Sequence, residues 1–172
     1  WGTIDILVNN AQIMFAPHPI EDWTWDEMDQ IFKSGPYGTW AFMVACLPYM
    51  KEKGGRIVNF TSATAYTPNT GRAGYAAAKQ AIHSLTRTAA REWGKYKINV
   101  NIISPVAIGD MIKRTYTEEQ QMELLKSGGM ALSHRWGDAE KDIGRGVVFL
   151  CGPDSEMITG CMLPIDGGSA ML

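Results

Sequence analysis

The stretch RIVNFTSATAYTPNTGRAGYAAAK, residues 56–79, decides the fold class of this chain. It begins with Arg56–Thr61, a short apolar and β-branched run of the kind that predicts a buried strand. A loop rich in Thr, Asn, Pro and Gly follows, and then an alanine-rich helical pattern opens. Tyr75 and Lys79 lie one turn apart in that pattern, so they share one face of the predicted helix. A strand followed by a helix is the repeating unit of an α/β domain.

The same alternation continues along the rest of the chain. Further strand-like runs, each bounded by Gly, Pro, Asn or Ser, are Ile4–Val8, Ile98–Ile103 and Cys161–Ile165. Helical spacing connects the runs, and the residues that carry it are Met28, Ile31 and Phe32, then Trp40, Val44 and Leu47, then Ala78, Ile82, Leu85, Ala89 and Trp93, and finally Ile143, Val147, Leu150 and Cys151. Short apolar runs with weak alternation predict a parallel sheet buried on both faces. The fold expected is therefore an α/β three-layer sandwich with right-handed crossovers.

Two pairs of residues mark where helices begin. Thr24 with Glu27, and Thr117 with Gln120, have the spacing of a capping box. The helix after Thr117 is expected to stop near the pair Gly128-Gly129.

Bulk properties limit the possible functions. The chain has 172 residues, a net charge of -2 and 45% hydrophobic residues, which suits one domain with a sizeable core. A net charge this close to zero does not indicate the basic surface that nucleic-acid binding needs. No apolar run reaches membrane-spanning length. Cys46, Cys151 and Cys161 are widely spaced, which indicates buried thiols in a reducing compartment and no metal site. We therefore expect a cytoplasmic protein.

Polar residues follow each predicted strand, where ligands bind in parallel sheets. They are Asn9-Asn10-Ala11, Thr61-Ser62, Ser104-Pro105 and Asp166-Gly167-Gly168. Asn10 is interpreted as a residue that ties neighbouring strands together.

Ser62, Tyr75 and Lys79 can converge at this edge of the sheet. A serine hydroxyl can donate to a carbonyl oxygen, and a lysine ammonium beside a phenol favours the phenolate and lowers its pKa. Tyr75 could then exchange a proton near neutral pH. The set suits alcohol–carbonyl interconversion with hydride supplied by a cofactor. It suits acyl transfer poorly, because no histidine is placed to activate Ser62.

These motifs resemble those of the short-chain dehydrogenase/reductase family. The residues that carry the resemblance, in the family's order, are Asn9-Asn10-Ala11, Arg56–Ser62, Tyr75–Lys79, Asn99–Pro105, Ile158-Thr159-Gly160 and Ile165–Gly168. The resemblance covers the whole chain. It implies a partial, doubly wound Rossmann-like domain over residues 1–172 that corresponds to the family's fourth to seventh strands.

The resemblance also implies roles for particular residues. Ser62 would orient the substrate oxygen, Tyr75 would act as general acid and base, and Lys79 would bind the nicotinamide ribose and tune Tyr75. The cofactor would be NAD or NADP. Its remaining contacts would come from Asn9, Ala11, Pro105, Val106 and Ile108.

The chain departs from the family pattern at several places. It lacks the glycine-rich TGxxxGxG turn that cradles the pyrophosphate, and it enters the run Ile4–Val8 almost at once, so we expect a missing upstream part. The family's catalytic asparagine falls on Gly35, and Pro36 is expected to break or restart the helix there. Gln12 and Val106 replace glycines, and Asp110 would repel the cofactor phosphates.

Two functions remain open from the sequence. The first is the C-terminal catalytic portion of an NAD(P)-dependent oxidoreductase, a portion expected to be inactive alone. The second is a non-catalytic binding or oligomerisation module that keeps the family's helices. A homodimer or homotetramer is expected if the protein is intact, because the helices near Trp40–Tyr49 and Tyr75–Trp93 form the dimer interface in this family. With the preceding strand absent, Ile4–Val8 should lie at an exposed edge of the sheet.

Overall fold

Four parallel strands form the centre of the molecule. The computed structural model describes residues 2–67, 69–109, 113–114, 116–127, 132 and 135–170. The strands are β1 (Ile6–Asn9), β2 (Gly55–Phe60), β3 (Ile98–Pro105) and β4 (Met162–Ile165). They lie side by side in the order β1-β2-β3-β4. Every strand run predicted from the sequence is thus confirmed, with boundaries shifted by one or two residues.

Five α-helices connect or flank the strands among the described residues. They are α1 (Trp25–Phe32), α2 (Gly38–Met50), α3 (Ala73–Trp93), α4 (Glu118–Ser127) and α5 (Arg145–Cys151). Both predicted capping boxes are present. The Glu27 amide donates to Thr24 Oγ1 at 3.2 Å, and the Gln120 amide donates to Thr117 Oγ1 at 3.3 Å. Gly128 and Gly129, where α4 was expected to stop, lie outside the described residues.

The predicted helix break at Pro36 is wrong. The chain stays helical from α1 to α2 through a π-helical turn, Lys33–Tyr37, with Pro36 inside it. A proline removes one backbone donor and crowds the preceding turn of an α-helix. Single wider π-helical turns occur inside α-helices, and here such a turn accommodates Pro36. Gly35 and Pro36 are both buried in this turn.

Helices cover both faces of the sheet, as the three-layer prediction required. On one face, Met43 and Met50 of α2 pack with Ile57 and with Ala89 of α3. On the other face, Leu150 of α5 packs with other buried side chains, namely Val58, Phe60, Ile103 and Ile143. Neighbours along a strand point to opposite faces. Ile57 and Val58 therefore enter different halves of the core.

β1 is one of the two edge strands of the described sheet, and its edge position was predicted. It pairs only with β2 among the described residues, in a register that sets Val8 opposite Val58. Ile6 and Val8 keep 49% and 41% of their surface exposed. An uncovered apolar edge of this kind is a site for association with another chain.

Two further features bear on the sequence interpretation. All three cysteines are free, but only Cys46 is buried; Cys161 is exposed, so the prediction of buried thiols is wrong for it. Cys161 comes just before β4 and its Sγ lies 3.6 Å from the Met162 carbonyl oxygen. Across the described ranges, no helix combines the length and the apolar character needed to cross a bilayer.

Candidate active site

Ser62 lies immediately beyond the carboxyl end of β2. It caps the short 3₁₀ turn Ala63–Ala65, where its Oγ accepts from the Thr64 amide at 3.3 Å. The hydroxyl also lies 3.3 Å from Thr64 Oγ1. A strand-end serine that caps the next turn has a fixed position and a rotatable proton.

Tyr75 lies in the first turn of α3 and meets Ser62 across the loop. Burial raises the pKa of Tyr75, and the nearby Ser62 side chain and the charge of Arg72 only partly oppose that rise. The structure thus brings Ser62 and Tyr75 together, as the sequence predicted.

Lys79 lies one turn further along α3 and is 4% exposed. Its Nζ donates to the carbonyl oxygen of Phe60 at 2.9 Å and lies 5.5 Å from the centroid of the Tyr75 ring. Burial lowers the pKa of Lys79 from 10.5 to about 8. An ammonium with three donors and one protein acceptor keeps two donors for further partners.

The expected lowering of the Tyr75 pKa is therefore wrong for the protein alone. The Lys79 ammonium contacts the Phe60 carbonyl and lies over the face of the Tyr75 ring. Burial is the largest influence on the pKa of Tyr75. Loss of water around a phenolate disfavours that charged form more than the available charges favour it. Tyr75 is accordingly a protonated donor at neutral pH.

Arg72 is a site residue that the sequence interpretation missed. It precedes α3, and its charge lowers the pKa of Tyr75. Its Nη1 donates to the Phe15 carbonyl at 2.8 Å, which joins the loop after β1 to the start of α3. The signal for it was spacing, since Arg72 lies three residues before Tyr75.

The Asn9 side chain is used to join elements of the fold. Its Nδ2 donates to Asn59 Oδ1 at 2.8 Å, and Asn59 Nδ2 donates to Thr86 Oγ1 at 2.8 Å. Thr86 in turn donates to the Ile82 carbonyl, so one chain of bonds crosses from β1 through β2 to α3. The strand tie expected at Asn10 is thus made by Asn9. Asn10 itself is exposed.

The segment after β3 is held by backbone bonds. The Val106 amide donates to the Ile165 carbonyl at 2.9 Å, and the Ile108 amide donates to the Gly137 carbonyl at 3.2 Å. Ala107 and Gly137 form an isolated bridge between these bonds. The other predicted contacts, Ala11 and Pro105, lie after β1 and at the end of β3, at the same edge. Asp110 lies outside the described residues.

Comparison with known proteins places this geometry in a family. The family model described as "Enoyl-(Acyl carrier protein) reductase" matches residues 1–170. The chain belongs to the short-chain dehydrogenase/reductase family. A member of similar sequence is the 12alpha-hydroxysteroid dehydrogenase of Clostridium sp., 40% identical over 98% of this chain and 64% of that protein. Another is the 3-oxoacyl-(acyl-carrier-protein) reductase of Haemophilus influenzae, 33% identical over 98% of this chain and 68% of that protein.

Solved structures of the family have the same fold. The blue fluorescent protein from a metagenomic library, solved in complex with NADPH, superposes with a TM-score of 0.88. It is 34% identical, and the match covers 99% of this chain and 66% of that chain. This chain therefore spans about two thirds of the length of the family members named here.

Proposed function

We propose that this chain is the C-terminal catalytic portion of an NAD(P)-dependent oxidoreductase that interconverts an alcohol and a carbonyl. One observation carries the proposal. A partly buried phenol close to a serine side chain lies 5.5 Å from a buried ammonium, measured from the ring centroid, at the edge of a parallel sheet where ligands bind. Clusters of buried titratable groups whose pKa values shift in opposite directions mark functional sites.

The donor set at this edge fits a nicotinamide cofactor. Lys79 has a buried ammonium with two N–H groups beyond its bond to Phe60, which suits the hydroxyls of a ribose. Ala11, Asn9 and the segment Pro105–Ile108 would complete the cofactor contacts. When bound, NAD or NADP supplies the hydride.

The protein's own groups would handle the oxygen and its proton. Ser62 would donate to the carbonyl oxygen of the substrate and hold it against the Tyr75 phenol. Because its pKa is raised, Tyr75 carries its proton at neutral pH and can give it to that oxygen during reduction. The positive charge of Lys79 would then stabilise the phenolate that remains.

We further propose that residues 1–172 form one partial domain that does not turn over a substrate by itself. Proton transfer by a positioned group contributes about 10²–10⁴-fold. Holding the reactants in place can contribute about 7–11 kcal/mol, which is more. That positioning needs an anchored pyrophosphate, and the chain contains no glycine-rich turn for one.

The experiment is a calorimetric titration of NADH and NADPH into two proteins. One is the 172-residue chain, and the other is the same chain fused behind a glycine-rich nucleotide-binding half. We expect binding only by the fused protein. Micromolar binding by the short chain would overturn its proposed inactivity, and no binding by the fused protein would overturn the proposed enzyme.

A second candidate function is a non-catalytic oligomerisation module. It is favoured by Gly35, which offers no side chain to the site, and by an apolar groove of about 860 Å³ between α2 and α3. The groove is lined by Phe32, Pro36, Tyr37, Trp40, Ala81, Ser84, Leu85 and Thr88. Phe42 and Tyr49 are further exposed aromatic side chains on α2.

We propose that a second copy of the chain covers this groove in a homodimer or homotetramer. Helices that leave large aromatic side chains exposed on one face commonly bury them in an interface. Sedimentation of the fused protein should give a dimer or tetramer, and Trp40→Asp should give a monomer. A wild-type protein that sediments as a monomer would rule out the oligomer.

We also propose a cytoplasmic location, since three free cysteines suit a reducing compartment; cell fractionation tests it.

A further inference from the structure

Arg72 joins the loop after β1 to the start of α3. Its Nη1 donates to the Phe15 carbonyl oxygen at 2.8 Å, and the carbonyl oxygen of the preceding residue, Gly71, accepts from the His18 amide at 3.2 Å. These two bonds fasten residues 15–18 to residues 71–72. A side chain that is already held in place loses little freedom when a ligand binds to it.

The guanidinium of Arg72 has no carboxylate partner among the described residues. The ion pairs in those ranges are His18–Glu27, Lys33–Asp29 and Arg135–Asp142. An arginine has five N–H donors in a planar fork, and the bond to the Phe15 carbonyl uses one of them. Arg72 therefore has donors for an anion that the described part of the chain does not supply.

The burial of Arg72 sets it apart from most arginines of this chain. Arg72 is half-buried, and so is Arg56, whereas the other arginines, at positions 87, 91, 114, 135 and 145, are exposed. Arg56 lies near the amino end of β2, at the edge of the sheet opposite to the candidate site. Charged side chains are seldom withdrawn from water without a partner. A half-buried and unpaired cation at the ligand-binding edge thus indicates an anionic ligand.

Arg72 lies close to the group that would exchange the proton. It is the N-cap residue of α3, and Tyr75 follows in the first turn. Side chains three positions apart on a helix are neighbours, with about 5–6 Å between their Cβ atoms. The positive end of the helix adds to the charge of the guanidinium. One small molecule can therefore contact both Arg72 and the Tyr75 phenol.

We infer that Arg72 is a specificity-determining residue that binds a carboxylate of the substrate, so that the site takes oxo acids and the corresponding hydroxy acids. The inference rests on the proposed oxidoreductase function. The guanidinium would donate two parallel N–H bonds to the two carboxylate oxygens. That contact would hold the acid end of the substrate while Ser62 and Tyr75 bind the oxygen that is reduced.

Kinetics of the fused protein with matched neutral and charged ketones test the inference. The probes are 4-oxopentanoate and 5-oxohexanoate, each beside its methyl ester, which keeps the ketone and removes the charge. We expect the wild type to prefer each acid to its ester in kcat/KM. Arg72→Met should lower kcat/KM for the acids by about 10–100-fold, the effect of losing hydrogen bonds to a charged group, and should change the esters much less.

The control is Arg91→Met, an exposed arginine at the opposite end of α3 that should leave the preference unchanged. A wild type that reduces acids and esters alike would overturn the inference and leave the proposed function standing. A preference that survives in Arg72→Met would also overturn it. Equal losses for acids and esters in Arg72→Met would show that Arg72 acts only on the fold or on Tyr75, which contradicts substrate binding.

A binding measurement decides the inference without turnover and without a substitution in the protein measured. The Nε–H signals of the arginine side chains of the 172-residue chain would be followed by NMR during titration with each acid and each ester. We expect the Arg72 signal, assigned from its absence in Arg72→Met or Arg72→Lys, to shift with the acids and not with the esters. An Arg72 signal that does not respond to the acids would overturn the inference. Absence of turnover by the fused protein with every ketone would sink the proposed function alone.

Discussion

Replacing Lys79 with methionine should stabilise the fold near neutral pH while removing a group that the proposed chemistry needs. The ammonium is 4% exposed, and burial lowers its pKa from 10.5 to about 8. A pKa lowered from 10.5 to about 8 corresponds to a destabilisation of about 3 kcal/mol when the lysine is charged in both states. Methionine removes this cost but leaves the Phe60 carbonyl without its donor, a loss of about 1 kcal/mol. The expected net gain is about 2 kcal/mol at pH 7.

The lowered pKa of Lys79 also determines how the free energy of unfolding depends on pH. Between pH 8 and pH 10.5 the unfolded chain holds the Lys79 proton more strongly than the folded chain does. The free energy of unfolding of the wild type should therefore rise with pH through this window, and the full cost should be present below pH 8. In Lys79→Met this contribution to the slope should disappear.

Urea unfolding of both proteins at pH 7 and at pH 10 measures the effect. Lys53→Met, an exposed lysine in the turn after α2, is the matched control and should change neither value. A Lys79→Met protein that is less stable than the wild type at pH 7 would refute the reasoning. It would mean that bonds to the ammonium outweigh the loss of its water.

Two further predictions concern the frame that holds the site. Gly54 has a φ of +84°, and an added Cβ would lie 2.7 Å from the Lys97 carbonyl oxygen. Gly54→Ala should therefore cost about 1–3 kcal/mol in urea unfolding, whereas Gly94→Ala, with nothing within 4 Å, should cost little. Asn59→Leu removes the link between Asn9 and α3 and should cost about 1–3 kcal/mol; an unchanged unfolding midpoint would show that the link contributes nothing.

The fold could be predicted from local patterns because its strands and helix starts are local features. Each strand is a short β-branched run with turn residues at its ends, and each capping box needs only residues three positions apart. Pro36 failed as a helix breaker because the helix widened there, and local propensity does not encode that adjustment. The predicted burial of Cys161 was wrong for a similar reason, since its exposure depends on what packs over β4.

The proximity of Ser62, Tyr75 and Lys79 could be predicted from the sequence, but the electrostatics of these groups could not. Helical spacing placed Tyr75 and Lys79 on one face, and strand order placed Ser62 beside them. The direction of the Tyr75 pKa depends on burial by the whole fold, which spacing does not show. The contact of Gln12 with Gly35 joins a loop to a helix 23 positions away, so no local pattern could reveal it.

Hydride transfer by the fused protein tests the central claim most directly. The wild type and Tyr75→Phe would be mixed with NADH or NADPH and a panel of ketones that includes a 12-oxo steroid, and the loss of nicotinamide absorbance would be followed. The account predicts turnover by the wild type and a loss of about 10²-fold or more in Tyr75→Phe, since the phenol supplies the proton. Equal turnover by the two proteins would contradict it.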